Sequence, residues 1–401
     1  MKKQVLSLLT AFCLMLSLAP AAFAADTNDL QAQINNAVAG STVTLTGNVT
    51  LDTTLAIDKA ITIDGSPNKY SITYSGVGSA ISVTAQAAVT LKNLKLNAVS
   101  NGAYAVSLTS SQPNLSIQNC EITANNRGIN MYPTGGCTNG KLTVTDSTIL
   151  NSQITDYENA AVIGDTRGIA LFDVKKSSIE IINSAIKGFG YSINTSGTAD
   201  NNDVRLAENV FDITDSAIWG WSVLNIWTIG NTFDITNSDL RGINKATGGA
   251  NSFSAIVLNE SIYGNVPVTN KPNVFNIYGG DVLAIATGNS DVIDETLFRV
   301  DENYQSRFHF YLYEDDEAET HYVTLFCDRP FSAFVASYDS MTENGLGAWA
   351  ASHVTGNLNT IYNWGILAPG MNSSAWPTNP LAEDTDVESM QQTVHMGGDE
   401  A

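Results

Sequence analysis

Phe211-Asp-Ile213-Thr-Asp215-Ser216-Ala-Ile218 is followed 22 residues later by Phe233-Asp-Ile235-Thr-Asn237-Ser238-Asp-Leu240. Looser copies of the phrase run from Val89 to Leu96 (VTLKNLKL), Leu115 to Ile122 (LSIQNCEI), Leu142 to Ile149 (LTVTDSTI), Ile179 to Ile186 (IEIINSAI) and Phe275 to Val282 (FNIYGGDV). Each reads apolar, any, apolar, any, Asn or Asp, small, any, apolar. Two period-2 strands therefore flank a kink at a residue that tolerates left-handed backbone dihedrals. Successive copies start 26, 27, 37, 32, 22 and 42 residues apart, so a constant structural unit carries loops of variable length.

A 22-residue unit without helical periodicity buries its apolar side chains only by stacking on a neighbour, which makes the chain a β-solenoid. With its Asn-rich corner, the pattern resembles the right-handed parallel β-helix proteins of the pectate-lyase-like superfamily. The resemblance covers roughly residues 40 to 290 and implies three strands per coil. It also implies an Asn ladder through Asn93, Asn119, Asp146, Asn183, Asp215 and Asn237, broken at Gly279 in the last copy. It speaks to fold and not to activity.

A second series, Val106-Ser-Leu108, Ile129-Asn-Met131, Ile169-Ala-Leu171, Ile193-Asn-Thr195, Leu224-Asn-Ile226 and Ile256-Val-Leu258, supplies the third strand. The expected fold is all-β, a right-handed parallel β-helix of about eight coils, roughly 40 Å long at the usual strand spacing. A helix starting at Asn28 or Asp29, with Leu30, Ile34 and Val38 on one face and ending at Gly40, would cap its first coil.

The expected organisation is a signal peptide over 1–24, the solenoid with its cap helix over 25–285, a C-terminal β cap or small β domain over 286–340, and an extended low-charge and then acidic, partly disordered tail over 341–401. Lys2 and Lys3, the apolar run Val5 to Leu18 and the small-x-small Ala22-Phe23-Ala24 carry the first assignment. The run is short for a membrane span, so the protein is expected outside the cytoplasm without membrane insertion. In the third segment, Leu297 to Val300, Phe308 to Tyr313, Tyr322 to Phe326 and Phe331 to Ala336 are strand-like. The middle two flank the acidic tip Glu314-Asp315-Asp316-Glu317-Ala318-Glu319 as a hairpin.

With 40 acidic and 19 basic residues the net charge is −21, and it becomes −23 once Lys2 and Lys3 are removed. Such a field argues against nucleic acid and anionic membranes, and also serves solubility. Cys13 leaves with the signal, and Cys120, Cys137 and Cys327 are too few and odd in number for a disulfide framework. Cys120 replaces the corner serines Ser147, Ser184, Ser216 and Ser238; a Cys120 to Cys137 bridge stays open.

Alternation on the third strand aims two rows outward: Ser107, Asn130, Ala170, Asn194, Asn225, Val257, and beside it Thr109, Tyr132, Phe172, Ser196, Trp227, Asn259. Flat aromatics beside amides match a sugar ring with its apolar face and hydroxyl edge. Arg127, Asn130, Tyr132, Phe172, Asn194, Asn225 and Trp227 are therefore the candidate binding residues, although such aromatics also pack beneath long loops. Trp219 is expected exposed and Trp221 in the core. Arg127 and Arg167 precede the third strand in successive coils, placed either to grip a carboxylated sugar or to neutralise Asp146, Asp165 or Asp173.

Asp165, Arg167 and Asp173 are the nearest thing to an acid/base group. All four histidines lie beyond the regular coils, and neither a Gly-His-Gly segment nor an Asp cluster of the kind lyases use for calcium is present. The expectation is a non-catalytic, monomeric protein of the cell exterior, binding an extracellular glycan or cell-surface component without cofactor or metal. The alternatives are a polysaccharide lyase or hydrolase, in the first case with calcium, and a purely structural surface rod.

Overall fold

The structure, a computed structural model, describes residues 25–157, 162–197, 206–242, 254–258, 272–287, 298–300, 311–315 and 320–327. The signal segment 1–24, the strand expected over 331–336, Asn259 and the tail 341–401 lie outside the described residues.

The chain is a parallel β-solenoid. Its strands stack in three ladders, each strand pairing in parallel with those one coil before and after it. The first ladder holds the opening half of each repeat, running through Ile61–Asp64, Ala88–Lys92, Asn114–Gln118, Lys141–Thr145, Ser178–Ile182 and Val210–Thr214. The second holds the closing half, through Ser71–Tyr74, Lys95–Ala98, Glu121–Ala124 and Thr148–Asn151. The third runs through Leu55–Ile57, Ser79–Val83, Tyr104–Leu108, Arg127–Met131 and Ile163–Phe172. In the later coils Ala185–Ser196 and Ala217–Ile226 each pass through the second and third ladders as one strand. The register between them slips at Lys187/Phe189, beside Gly188 with φ 84°. Beyond them, Tyr311–Asp315 and Thr320–Cys327 form the expected antiparallel hairpin, and the latter strand lies antiparallel on Val274–Thr287.

Alternation buries apolar columns along each ladder. In the first, Val89, Leu115, Leu142, Ile179, Phe211, Phe233 and Phe275 are aligned and fully buried. The last three stack ring on ring, at 4.4 and 4.8 Å between centroids and within 10° of parallel.

The corner after the first ladder has two columns. Asn93, Asn119, Asp146, Asn183, Asp215 and Asn237 all adopt φ between 46° and 52°, the left-handed turn expected of them. Their amides donate to the preceding coil: Asn93 Nδ2 to Asp64, Asn119 to Asn93, Asn183 to Asp146 and Asn237 to Asp215. A carboxylate has no proton to pass on, so each run of side-chain bonds starts on an aspartate. Just inside, the backbone N–H of Cys120, Ser147, Ser184 and Ser216 donates to the hydroxyl of the serine one coil later, ending at Ser238. Cys120 and Cys137 are both free and buried, so the bridge between them does not form.

Another buried polar column precedes the first ladder. Gly140, Ser177, Asn209 and Asn231 donate their N–H to Ser177 Oγ, Asn209 Oδ1, Asn231 Oδ1 and Asn273 Oδ1 of the next coil.

The helix Thr27–Asn36 closes the first coil with Leu30 and Ile34 buried. Val38, expected on the same face, lies past the helix end and is 77% exposed. Gln31 stands in for a missing strand, accepting from Ala56 N–H at 2.8 Å and donating to Ala56 C=O at 3.0 Å. Both free groups of that edge are thereby paired. No helix among the described residues is long and apolar enough to cross a membrane.

Candidate functional site

Third-ladder strands feed side chains alternately to the core and to the outer face, and their register aligns the first expected row from coil to coil. Ser107 pairs with Asn130, Asn130 with Ala170, Ala170 with Asn194, Asn194 with Asn225 and Asn225 with Val257. Their exposure differs from expectation. Ser107, Asn130, Ala170, Asn194 and Asn225 are buried, because these short side chains lie between two rows of taller ones. Of the taller residues Tyr132 is half exposed, at 50%, while Phe172 and Trp227 are part-buried.

Tyr132 and Phe172 make one wall, their rings 4.4 Å apart and tilted by 60°. The opposite wall is a column that the candidate set contained only in part. Tyr104, Arg127, Arg167 and Tyr191 occupy register-matched positions in four successive coils. The Arg127 guanidinium lies 4.9 Å from the Tyr104 ring centroid and that of Arg167 5.5 Å from Tyr191, so each cation rests on an aromatic face. Tyr191 also packs on Trp221 at 5.7 Å. Trp221 is thus part-exposed rather than core, packed against the arginine column through Tyr191.

Between the walls is a cleft of about 250 Å³ lined by Arg127, Asn130, Tyr132, Arg167, Ala170, Leu171, Phe172, Asn194 and Ser196. Of the expected binding residues it gathers Arg127, Asn130, Tyr132, Phe172 and Asn194. Asn225 stands one coil further, donating to Asn194 Oδ1 at 2.6 Å, and Trp227 flanks it outside the cleft. Asp165 is exposed and Asp173 sits at a left-handed corner with φ 51°; neither lines the cleft.

Of the acidic residues considered as partners of the arginines, Asp165 contributes a charge that favours the Arg127 cation, without forming an ion pair with it. Among the described residues neither Arg127 nor Arg167 forms an ion pair. Arg167 Nη1 donates to the backbone carbonyl of Asp165 at 3.1 Å, and Asp146 accepts from Asn183 instead. Arg127 Nη1 donates to Asn130 Oδ1 at 2.5 Å, and its Nε is buried without a partner. Burial lowers the pKa of Arg127 from the ordinary arginine value; Tyr104 and, more weakly, Asp165 oppose the shift, and the neighbouring Arg167 charge adds to it. Burial, and then the Asp165 charge, raise that of the Tyr191 phenol, which stays neutral.

Trp219, expected exposed, is 7% exposed. Its second-ladder register places it between Lys187 and Arg241, whose cations lie 3.3 and 4.7 Å from the indole centroid, and its Nε1 donates to Asp239 at 2.9 Å. Among the described residues there is no group of three His, Cys, Asp or Glu side chains placed to hold a metal ion. Tyr104 and Tyr191 were missed although they precede Val106 and Ile193 by the same two positions as Arg127 and Arg167 precede Ile129 and Ile169. Comparison with protein-family models and with curated proteins gives no match to this chain.

Proposed function

We propose that this chain is an exported protein, directed out of the cytoplasm by residues 1–24, and that it binds an extracellular glycan on the outer face of the third ladder without cleaving it. In this reading the solenoid is a right-handed β-helix of the pectate-lyase-like kind and acts as a rigid carrier of that face. The observation that carries it is the cleft itself: an aromatic pair, Tyr132 and Phe172, faces a cation column across a floor of amides. An aromatic wall takes the apolar face of a pyranose, and amides and guanidinium groups take its hydroxyls. A glycan array probed with the wild type and with Tyr132→Ala and Trp227→Ala tests it. Binding by the wild type that Tyr132→Ala abolishes and Trp227→Ala weakens is expected; a blank array for the wild type ends the reading.

One observation favours a second reading, a polysaccharide lyase: Arg167, a residue type that serves as base in such enzymes, opens into the cleft. Against it stands the lining, which includes no carboxylate among the described residues to bind calcium or to form an acid/base pair. Incubation with acidic polysaccharides separates the two. Unsaturated or reducing ends that appear with the wild type and vanish in Arg167→Ala establish the enzyme.

A further inference from the structure

The cleft sets two cations side by side. Arg127 and Arg167 are register neighbours in consecutive coils, about 4.8 Å apart at the usual strand spacing, and each rests on a tyrosine face. Among the described residues neither forms an ion pair. Asp165, whose charge favours Arg127, is exposed and outside the cleft lining. Two part-buried guanidinium groups repel each other and gain from an anion that bridges them.

The chain carries such an anion itself. No lysine or arginine follows Arg329, while eight aspartates and glutamates do, four of them in Glu383-Asp384-Thr-Asp386-Val-Glu388. A block of like charge with no opposite charge beside it is suited to a partner elsewhere. The strand Thr320–Cys327 lies against Val274–Thr287, four coils beyond Arg167 and so about 20 Å along the axis. The 55 residues between Cys327 and Glu383 cover that distance several times over at up to about 3.3 Å each. Tethering also decides which anion wins. A net charge of −21 repels free polyanions, whereas a segment of the same chain is held at a roughly millimolar effective concentration.

We propose that residues 383–388 of this chain occupy the cleft, with their carboxylates on the guanidinium groups of Arg127 and Arg167. Aspartate and glutamate meet a guanidinium fork with two parallel charge-assisted hydrogen bonds. The contact is autoinhibitory, because a glycan that enters the cleft competes with it. It goes beyond the glycan reading without resting on it: the arginines and the acidic segment meet whether or not a sugar binds.

Carbodiimide coupling of the full chain carrying Arg167→Lys tests it, since the reagent joins a lysine amine to an adjacent carboxylate with loss of water. Peptide mapping is expected to find position 167 joined to Glu383, Asp384, Asp386 or Glu388 within a single chain. A link from position 167 to Asp165 alone, or to the acidic segment of a second copy in a covalent dimer, overturns the inference. Should no link form, a second measurement that leaves both arginines in place decides. Phenylglyoxal modification of Arg127 and Arg167 is followed at low salt in the wild type and in the full chain carrying Glu383→Gln, Asp384→Asn, Asp386→Asn and Glu388→Gln. Arg167 is expected to react at least about threefold faster in the variant, as loss of a tethered charge pair gives. The wild type should approach that rate at about 1 M salt, where the attraction is screened. Equal rates in the two chains at low salt overturn the inference. Glycan binding is read separately on the array, where a blank result for the wild type ends the glycan reading and leaves this one standing.

Discussion

The side-chain amide of Asn183 donates to the carboxylate of Asp146 at 2.6 Å, across the step from one coil to the next. Asn183 holds φ 47° at the same point, so one residue supplies both the turn and the bond. Asn183→Ala loses both, and an unfolding titration should show a loss of about 2–4 kcal/mol, from a charged hydrogen bond and a left-handed non-glycine residue. Asn183→Gly keeps the turn and should cost visibly less. Equal losses in the two variants would show that the dihedral contributes nothing.

The stack of Phe211, Phe233 and Phe275 is the largest aromatic unit of the described core. Removing the middle ring strips both neighbours of their contact. Phe233→Ala should therefore lower stability by about 3–5 kcal/mol, and Phe233→Leu by less, since it refills most of the volume. Denaturant midpoints at unchanged slope check this.

The Ser216 hydroxyl accepts from the Ser184 N–H in a fully enclosed corner. Ser216→Ala leaves that N–H buried without an acceptor, a loss of about 1–3 kcal/mol. Ser216→Cys should be milder, because Cys120 occupies the same column in an earlier coil with its sulfur 3.4 Å from the Leu91 carbonyl.

Burial pushes the pKa of Asp64 up, but hydrogen bonds from the Ser66 backbone, the Asn93 amide and Lys92 outweigh it and bring it down to about 2. A folded-state value below the unfolded value of about 3.9 stabilises the fold fully above that pH, and the contribution is lost as the pH falls toward 2. Stability should drop by about 2 kcal/mol across that window through this group alone. Asp64→Asn should flatten that part of the profile while lowering stability at neutral pH.

Burial raises the Cys120 thiol to about 11, so thiolate is scarce at pH 8. Peptide mapping after alkylation should find Cys120 unmodified in the folded chain and modified once it is denatured.

The ladder of Asn93 to Asn237 was legible because a left-handed corner admits few residue types, and the repeat writes them at a fixed place. The column Ser177, Asn209, Asn231, Asn273 was equally regular, always two residues before the first apolar position of a repeat, but it fell in what looked like loop. Trp219 and the row Asn130, Asn194, Asn225 show where alternation stops. It tells which side of a strand a side chain leaves from, and says nothing of how tall its neighbours in other coils are. The cleft depends on that height difference, with Ala170 and the asparagines low and Arg127, Arg167, Tyr132 and Phe172 high. The pairing of Arg127 with Asn130, three residues apart, was within reach of the sequence; the stacking on Tyr104 and Tyr191 required the register between coils.

From Cys120 to Ser216, each inner-corner amide is satisfied by a hydroxyl belonging to the turn that comes after it. No slice of this stretch is finished on its own. A chain cut short behind any of these turns would end on an enclosed N–H with nothing to bond, so the rod has no neutral stopping point there and should melt across it as a single unit.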